Sequence, residues 1–277
     1  MKNYRVLIDC KDEKGLVYKI SKIFYENGLN IEKNREFVDK ENNKFFMRSE
    51  ISGKIDKKDL KEKLEANLEK ANIKIIEPKR KKIVLMATKE SHVLGDILMR
   101  HYDGELDVDI VAVISNYDFL KPLTEKFGLN YFHVPAKNLQ RSEHEEKILE
   151  LLEMFEDIDY IVLAKYMRIL TPSFVEKYEN KIINIHHSFL PAFKGANPYK
   201  QAYDRGVKII GATAHFVNNS LDEGPIIAQD VINIDHTYSV EDMKRAGRDV
   251  EKIVLAKALR LAIEDRIFVY ANKTVIF

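Results

Sequence analysis

Two polar side chains at the end of one apolar segment are the first candidates for chemistry. The run Ile182-Ile183-Asn184-Ile185-His186 has the character of a buried strand, and side chains two residues apart on a strand point to the same side. We therefore expect Asn184 and His186 to face one ligand together at the carboxyl end of a parallel sheet, where such sheets bind ligands. The amide can donate to an oxyanion, and an imidazole can carry a proton near neutral pH.

A carboxylate follows on a segment that contains glycine and proline. Asp222 lies in the run Leu221-Asp222-Glu223-Gly224-Pro225, which is typical of a loop. An amide, an imidazole and a carboxylate together suit the attack of water on a carbonyl group, because Asp222 can accept a proton and orient His186. The sequence thus predicts Asn184, His186 and Asp222 as catalytic residues, with Asp222 as the base. The alternative is that Asn184 only ends a strand and Asp222 only begins a turn.

Two further histidines lie close to these residues in the sequence. On a regular strand His187 would point away from His186, so it either helps to position water or supports its neighbours. His215 lies near the end of another apolar run, where a packing or hydrogen-bonding role is the better prediction. Histidines beside an aspartate can also indicate zinc. A zinc hydrolase would have no need of Asn184, so the sequence predicts no metal.

The elements that must position these residues form an α/β pattern. Nearly continuous apolar runs alternate with helical segments, as in strands buried on both faces of a parallel sheet; they span residues 83–87, 111–114, 131–134, 160–164 and 182–185. An amphipathic helix is predicted from about Val240 to Glu264. Its predicted core positions are Met243, Ala246, Val250, Ile253 and Val254. This pattern predicts a Rossmann-like domain with a mostly parallel sheet.

The first part of the chain has a different pattern. Strand-like and helix-like segments follow one another in the order βαββαβ, which predicts a small antiparallel, ferredoxin-like sheet with helices on one face. A charged stretch with a proline, Glu77-Pro78-Lys79-Arg80-Lys81-Lys82, separates the two parts. The predicted domains are residues 1–78 and 83–277, with a linker at 79–82.

Composition excludes several functional classes. Lys and Arg number 45 against 44 Asp and Glu among 277 residues, so overall charge indicates neither nucleic acid nor an anionic membrane as partner. Cys10 is the single cysteine, which excludes an internal disulfide and a multi-cysteine metal site. Neither a long apolar span nor a secretory signal pattern is recognised. We expect a soluble cytoplasmic protein.

Several motifs of the chain resemble those of known families. The turn Asp12-Glu13-Lys14-Gly15-Leu16 and the return Gly28-Leu29-Asn30-Ile31 make the first part similar to an ACT domain. The second part resembles the formyltransferase fold that handles 10-formyltetrahydrofolate, through Met167-Arg168-Ile169-Leu170, Asn184-Ile185-His186, Ser188-Phe189-Leu190-Pro191 and Leu221-Asp222-Glu223-Gly224-Pro225. An ACT domain before that fold resembles the formyltetrahydrofolate deformylase family.

The resemblance implies hydrolysis of 10-formyltetrahydrofolate to formate and tetrahydrofolate, without metal or cofactor, supplying formate for one-carbon and purine metabolism. It places the pterin against the main chain of Met167, Arg168, Ile169 and Leu170, with the segment 216–222 covering it. Further predicted substrate-binding residues are His187, Ser188, His215 and Phe216. Segments 188–191 and 195–198 are expected to shape the mouth of the site.

The ACT-like part is implied to regulate rather than to catalyse. Domains of this kind bind small amino acids between paired copies, beside the turn that here contains Asp12 and Gly15. Gly15 would let a ligand carboxylate approach the backbone closely. The expected partners are therefore a second copy of the chain, in a homo-oligomer, and an amino-acid effector. The alternative is a domain that only assembles subunits.

Two rival functions can be stated from the sequence. Formyl transfer to an amine such as glycinamide ribonucleotide would need a seat for the acceptor's phosphate, which the resembled transferases build from a glycine-rich loop after the first strand. Here that loop reads Ala87-Thr88-Lys89-Glu90-Ser91-His92; Glu90 would oppose a phosphate, although Lys89 could still bind one. The second rival is a non-catalytic sensor of folate and amino acids.

Overall fold

The protein is described by a computed structural model covering residues 3–192 and 197–277. The chain divides into two compact units. The first ends at Lys79 and also includes Phe277, and the second is Arg80–Ile276. The predicted contribution of Gly195 and Ala196 to the mouth of the site lies outside the described residues.

The first unit has the predicted order βαββαβ. Its elements are β1 (Asn3–Lys11), α1 (Leu16–Glu26), β2 (Asn30–Asp39), β3 (Lys44–Ser52), α2 (Lys57–Asn67) and β4 (Asn72–Ile76). The strands lie in the order β2-β3-β1-β4, and each neighbouring pair is antiparallel.

The two helices of this unit bury apolar side chains against the sheet. Ile20 and Phe24 of α1, with Leu60 and Leu64 of α2, join Met47 in one core cluster. Helical and strand spacing bring these side chains to a shared interior, which is the main stabilising term of such a layer. Strand β2 is an edge strand that is largely exposed and lacks an apolar alternation.

The second unit is an α/β layer structure. In chain order its strands are β5 (Lys81–Ala87), β6 (Val108–Ser115), β7 (Tyr131–His133), β8 (Tyr160–Leu163), β9 (Ile182–His186), β10 (Ile209–Phe216), β11 (Ile226–Asn233), β12 (Ile267–Tyr270) and β13 (Lys273–Ile276). Its helices are α3 (Ser91–Tyr102), α4 (Lys121–Glu125), α5 (Arg141–Glu153), α6 (Pro172–Lys177), α7 (Pro198–Arg205) and α8 (Val240–Ile263).

The main sheet has seven strands in the order β11-β10-β9-β8-β5-β6-β7. Strands β5 to β9 pair in parallel, whereas β10 is antiparallel to both β9 and β11. The predicted fold class, a mostly parallel Rossmann-like sheet after an ACT-like unit, is confirmed. The separate hairpin β12-β13 and strand β11 were not predicted as strands.

Strand β5 begins at Lys81, inside the predicted linker. A lysine fits there because its buried ammonium lies 2.9 Å from Asp265 Oδ1 and 3.7 Å from Asp159 Oδ1. Local charge is therefore a poor guide to this strand's start, since the ion pairs form with residues distant in sequence. The predicted domain limits themselves stay a prediction.

Helix α8 has the predicted length but a different buried face. Met243, Val250 and Val254 are buried as expected, whereas Ile253 is 53% exposed and its predicted core position was wrong. Gly247 and Glu251 complete the buried stripe instead. Among the described residues, none of the helices combines the length and the hydropathy that a membrane span requires.

Candidate active site

Strand β9 carries the amide and the imidazole to one end of the sheet. Asn184 is opposite His215 of β10, and His186 is opposite Thr213. On the other side Asn184 is in register with Leu163, the last residue of β8. The side chains of Asn184 and His186 line the same cleft, as their spacing of two predicted.

The loop between β10 and β11 brings the carboxylate to this strand. Gly224 permits the close return of the loop, because a Cβ there would lie 1.7 Å from the carbonyl oxygen of Phe216. The amide of Phe216 donates to the Pro225 carbonyl at 2.9 Å, and Asn272 Nδ2 donates to the Glu223 carbonyl at 2.7 Å. The loop is thus held from both sides around Asp222, whose φ of 56° lies in the left-handed region.

Four side chains meet at this point, and we call them the acid–base group: Asn184, His186, His215 and Asp222. His186 Nδ1 lies 3.3 Å from Asp222 Oδ1, and His215 Nε2 lies 3.8 Å from the same oxygen. Only 11% of the Asp222 side chain is exposed, so these contacts form in a largely dry environment. His186 Nε2 is buried and has no hydrogen-bond partner among the described residues.

The hydrogen bonds of His215 define its tautomer. Its Nδ1 lies 2.9 Å from the Phe216 carbonyl oxygen, which can only accept, so Nδ1 carries the proton. Nε2 is then an acceptor, and Asn184 Nδ2 donates to it at 3.2 Å. His215 therefore orients the Asn184 amide while remaining neutral.

Burial and nearby charges set the ionisation of this group. Burial disfavours the Asp222 carboxylate, but the hydrogen bond and charge of His186, together with His215 and His187, outweigh burial and hold the Asp222 pKa below its ordinary value. Burial lowers the pKa of His215. Burial, then the charges of Lys165 and His186, lower the pKa of His187 to about 4. At neutral pH the aspartate is charged, and His187 and His215 are neutral.

The acid–base group opens into a cleft of about 910 Å³. This volume suits a ligand of the size of a substituted pterin. The lining includes the segment Met167, Arg168, Ile169 and Leu170 after β8, and the loop residues Val217, Asn218, Asn219, Ser220, Leu221 and Asp222. Met167 and Ile169 are 59% and 50% exposed, so part of the cleft wall faces solvent.

Both parts of the chain match families of known proteins. The Formyl transferase family model matches residues 81–259, and the ACT domain model matches residues 4–69. The formyltetrahydrofolate deformylase of Haemophilus influenzae is 58% identical over 272 residues, covering 98% of each chain. That of Bacillus subtilis is 44% identical, covering 99% of this chain and 93% of its own.

The chain belongs to the formyltetrahydrofolate deformylase family. A solved structure of the family, from Pseudomonas syringae, superposes with a TM-score of 0.94 at 42% identity and covers 100% of this chain and 95% of its own. Glycinamide ribonucleotide transformylase 1 from Symbiobacterium toebii gives a TM-score of 0.68 at 30% identity, covering 71% of this chain and 94% of its own. The resemblance to the deformylase family is thereby confirmed.

Of the other predicted substrate-binding residues, two line the cleft and two do not. Strand β9 ends at His186, so alternation does not extend to His187, which lines the same cleft instead of pointing away. His215 also lines it. Ser188 and Phe216 do not occur in the described lining of the cleft, and the geometry gives their predicted substrate contact no support.

The reason is that both residues have other partners. Ser188 Oγ donates to the Ala192 carbonyl at 2.8 Å, and Ser188 lines a separate cavity of about 110 Å³. The side chain of Phe216 is 3% exposed and belongs to the core of the second unit. Thr213 Oγ1 donates to the Ser188 carbonyl at 2.9 Å and so fixes the turn after β9.

A second polar group, of which Lys165, Tyr199 and Glu251 line the cleft, was missed by sequence reasoning. We call it the Glu251 cluster: His92, Lys165, Tyr199 and Glu251. Glu251 is 1% exposed, and its carboxylate lies 2.8 Å from His92 Nε2, 3.3 Å from Lys165 Nζ and 2.8 Å from Tyr199 Oη. Burial disfavours the Glu251 carboxylate, but these partners outweigh burial and hold its pKa well below the ordinary value.

Signals for this cluster exist in the sequence. Glu251 falls between Gly247 and Val254 on the apolar stripe of α8, where a carboxylate is unusual. Lys165 follows the apolar run of β8 at the end of the sheet that binds ligands. The sequence alone could have indicated that Lys165 and Glu251 are unusual, but it could not have shown that they form an ion pair.

The loop after β5 contributes Glu90 to the cleft lining. Its carboxylate lies 3.5 Å from His92 Nδ1 and 3.6 Å from Arg248 Nε. Lys89 is directed elsewhere, since its ammonium lies 4.2 Å from the centroid of the Tyr117 ring. The loop therefore presents a carboxylate, rather than a lysine, to the cleft.

The predicted effector residues lie in the first unit, at the start of α1. The amide of Asp12 donates to the Asn43 carbonyl at 2.9 Å, and Gly15 has a φ of 87° at the N-terminal end of the helix. A Cβ on Gly15 would meet no atom within 4 Å. The glycine is therefore required by the left-handed backbone, and the space beside it is open.

Proposed function

We propose that this chain is an enzyme that hydrolyses 10-formyltetrahydrofolate to formate and tetrahydrofolate. The observation that carries the proposal is the meeting of Asn184, His186 and Asp222 in one cleft, with His186 Nδ1 3.3 Å from Asp222 Oδ1. Membership in the deformylase family over the whole chain supports it. The released formate would supply one-carbon and purine metabolism.

In the proposed reaction, water attacks the formyl carbon on N10 of the folate. Asp222 accepts a proton from this water, and Asn184 donates to the oxyanion that forms. Because the Asp222 pKa is low, the carboxylate holds a proton only briefly, and His186 at 3.3 Å passes it on to N10. The bond between carbon and N10 then breaks, giving tetrahydrofolate and formic acid, which ionises.

Neutral His215 has a supporting role in this scheme. It accepts a hydrogen bond from Asn184 Nδ2 and thereby turns the amide toward the reacting carbonyl. His186 Nε2, which has no partner among the described residues, is the atom that a substrate oxygen or nitrogen would meet. These groups supply donor, acceptor and proton carrier, so we propose a reaction without metal or cofactor.

We propose that the pterin binds against Met167, Arg168, Ile169 and Leu170, with the loop 217–222 also in contact. Support comes from the cleft, whose lining contains both segments. The main chain of the first segment offers donors and acceptors for the amide-like edge of the pterin. Arg168, half-buried in this segment, is the proposed side-chain anchor.

The experiment that tests the proposed function is formate release from 10-formyltetrahydrofolate in water enriched in ¹⁸O, with no amine present. Hydrolysis predicts one ¹⁸O atom per formate and a stoichiometric yield of tetrahydrofolate. A protein that released no formate, yet bound the folate, would contradict hydrolysis and favour the sensor function.

We also propose that the first unit binds an amino acid beside Asp12 and Gly15 and pairs with a second copy of the chain in the cytoplasm. The ACT match and the open, left-handed position at Gly15 support this assignment. Sedimentation of the purified chain tests the pairing, and melting temperatures with a panel of amino acids test the effector. A monomer with no shift for any amino acid would contradict both.

A further inference from the structure

The Glu251 cluster is not explained by stability alone. Lys165 and Glu251 are 4% and 1% exposed, and a buried ion pair recovers little more than its own desolvation cost. Apolar residues of similar volume would stabilise the fold as well or better. The presence of two buried charges in a cleft wall therefore points to a use in binding or reaction.

The surrounding backbone makes special provision for this pair. Lys165 has a φ of 62°, which lies in the left-handed region. Glycine adopts this conformation without steric cost, whereas a lysine adopts it at a cost in free energy. Thr88 Oγ1 donates to the Lys165 carbonyl at 2.9 Å and fixes this conformation. On α8, a Cβ at Gly247 would lie 2.0 Å from Tyr199 Oη, so only glycine lets Tyr199 reach Glu251.

The cluster is a neighbour of the reacting groups. The ring of His187 lies 5.2 Å from that of His186 and 6.1 Å from that of Tyr199, between centroids. His187 therefore lies beside His186 of the acid–base group and beside Tyr199 of the Glu251 cluster. Lys165, His187 and Glu251 all line the same cleft, so the pair lies beside the space that a nucleophile can enter.

We propose that the Lys165–Glu251 pair selects water over amines as the nucleophile. This inference rests on the proposed hydrolysis of 10-formyltetrahydrofolate. An amine enters at neutral pH as an ammonium ion and must find a carboxylate that holds it and takes its proton. Glu251 is already bound by three donors, and the fixed Lys165 cation repels a second cation. Water carries no charge, so Lys165 does not repel it, and Asp222 accepts its proton.

Removing Lys165 should open the amine reaction. Glu251 would then hold the ammonium and accept its proton, and the neutral amine would attack the formyl carbon. The new bond joins carbon to the amine nitrogen, the bond from carbon to N10 breaks, and N10 takes up the amine's second proton. No oxidant or other reactant is consumed, and the Glu251 proton passes to solvent.

The test measures both products from ¹³C-formyl-labelled 10-formyltetrahydrofolate with glycinamide as the amine. For Lys165→Gly we expect the ratio of N-formylglycinamide to formate to rise roughly tenfold or more over the wild type, the usual worth of one discriminating contact. The double variant Lys165→Gly/Glu251→Gln has no carboxylate at position 251 to hold the amine, so its product ratio should return toward that of the wild type. Lys70→Gly is the matched control, because Lys70 is exposed and has a φ of 52° in the first unit.

Outcomes of this experiment separate the two proposals. Formate release by the wild type with an unchanged product ratio in folded Lys165→Gly would overturn the selection of water and leave hydrolysis intact. Absence of formate from the wild type would overturn hydrolysis itself. If Lys165→Gly does not fold, Lys165→Met keeps the stem volume, removes the charge and is subject to the same criterion.

Discussion

Substitution of His187 should weaken the dependence of the protein's stability on pH. His187 has a pKa of about 4 in the folded chain, because it is buried and lies near Lys165 and His186, against an ordinary value of 6.5. Between these values the unfolded chain binds more protons than the folded chain, so the free energy of unfolding falls as pH decreases. From pH 7 to pH 5 this site alone should remove about 2 kcal/mol.

His187→Gln removes this titration but keeps a polar side chain of similar size. The variant should therefore lose about 2 kcal/mol less stability than the wild type between pH 7 and pH 5. Groups that His187 does not influence titrate equally in both proteins and cancel in the comparison. His236→Gln, the same substitution at an exposed position, is the matched control.

The assay is urea unfolding at both pH values, followed by hydrogen exchange of peptides from β9 so that the unit containing His187 is observed. Stability of the wild type and of His187→Gln should converge or cross as pH falls. An equal response of the two proteins would show that burial and the Lys165 charge do not keep His187 neutral.

Two further substitutions test the positions of the amide and the carboxylate. Asn184→Ala should lower kcat about 10²–10³-fold with a smaller change in KM, because the oxyanion donor acts in the transition state; a change in KM alone would contradict this role. Gly224→Ala should lower kcat/KM roughly tenfold or more, since a Cβ 1.7 Å from the Phe216 carbonyl oxygen must displace the loop that carries Asp222. Gly95→Ala, whose Cβ would have Leu123 as its nearest neighbour at 3.9 Å, is its control, and equal activity of the two variants would contradict the positioning of Asp222 by Gly224.

Strand periodicity explains why part of the site could be predicted. Asn184 and His186 share a face because they lie two residues apart on a strand, and both line the cleft. Asp222 could be predicted as a loop carboxylate because a glycine and a proline follow it closely in the sequence. The same rule failed at His187, because the strand ends one residue before it.

Long-range partners explain what could not be predicted. The carboxylate of Glu251 is buried because donors arrive from three separate segments, at His92, Lys165 and Tyr199. Lys81 extends β5 because two aspartates distant in sequence bind its ammonium. Helical spacing alone placed Ile253 in the core, whereas the helix buries Gly247 and Glu251 toward Tyr199.

The role of Asp222 as the base is tested by the rate of formate release by Asp222→Asn, compared with the wild type in the absence of an amine. Asparagine keeps the shape of the side chain but cannot accept the proton from water, so we predict a loss of about 10²–10⁴ in turnover with folate binding retained. Asp103→Asn, an exposed aspartate of the same unit, should retain wild-type turnover. Wild-type turnover in Asp222→Asn would contradict the account of Asp222 as the base.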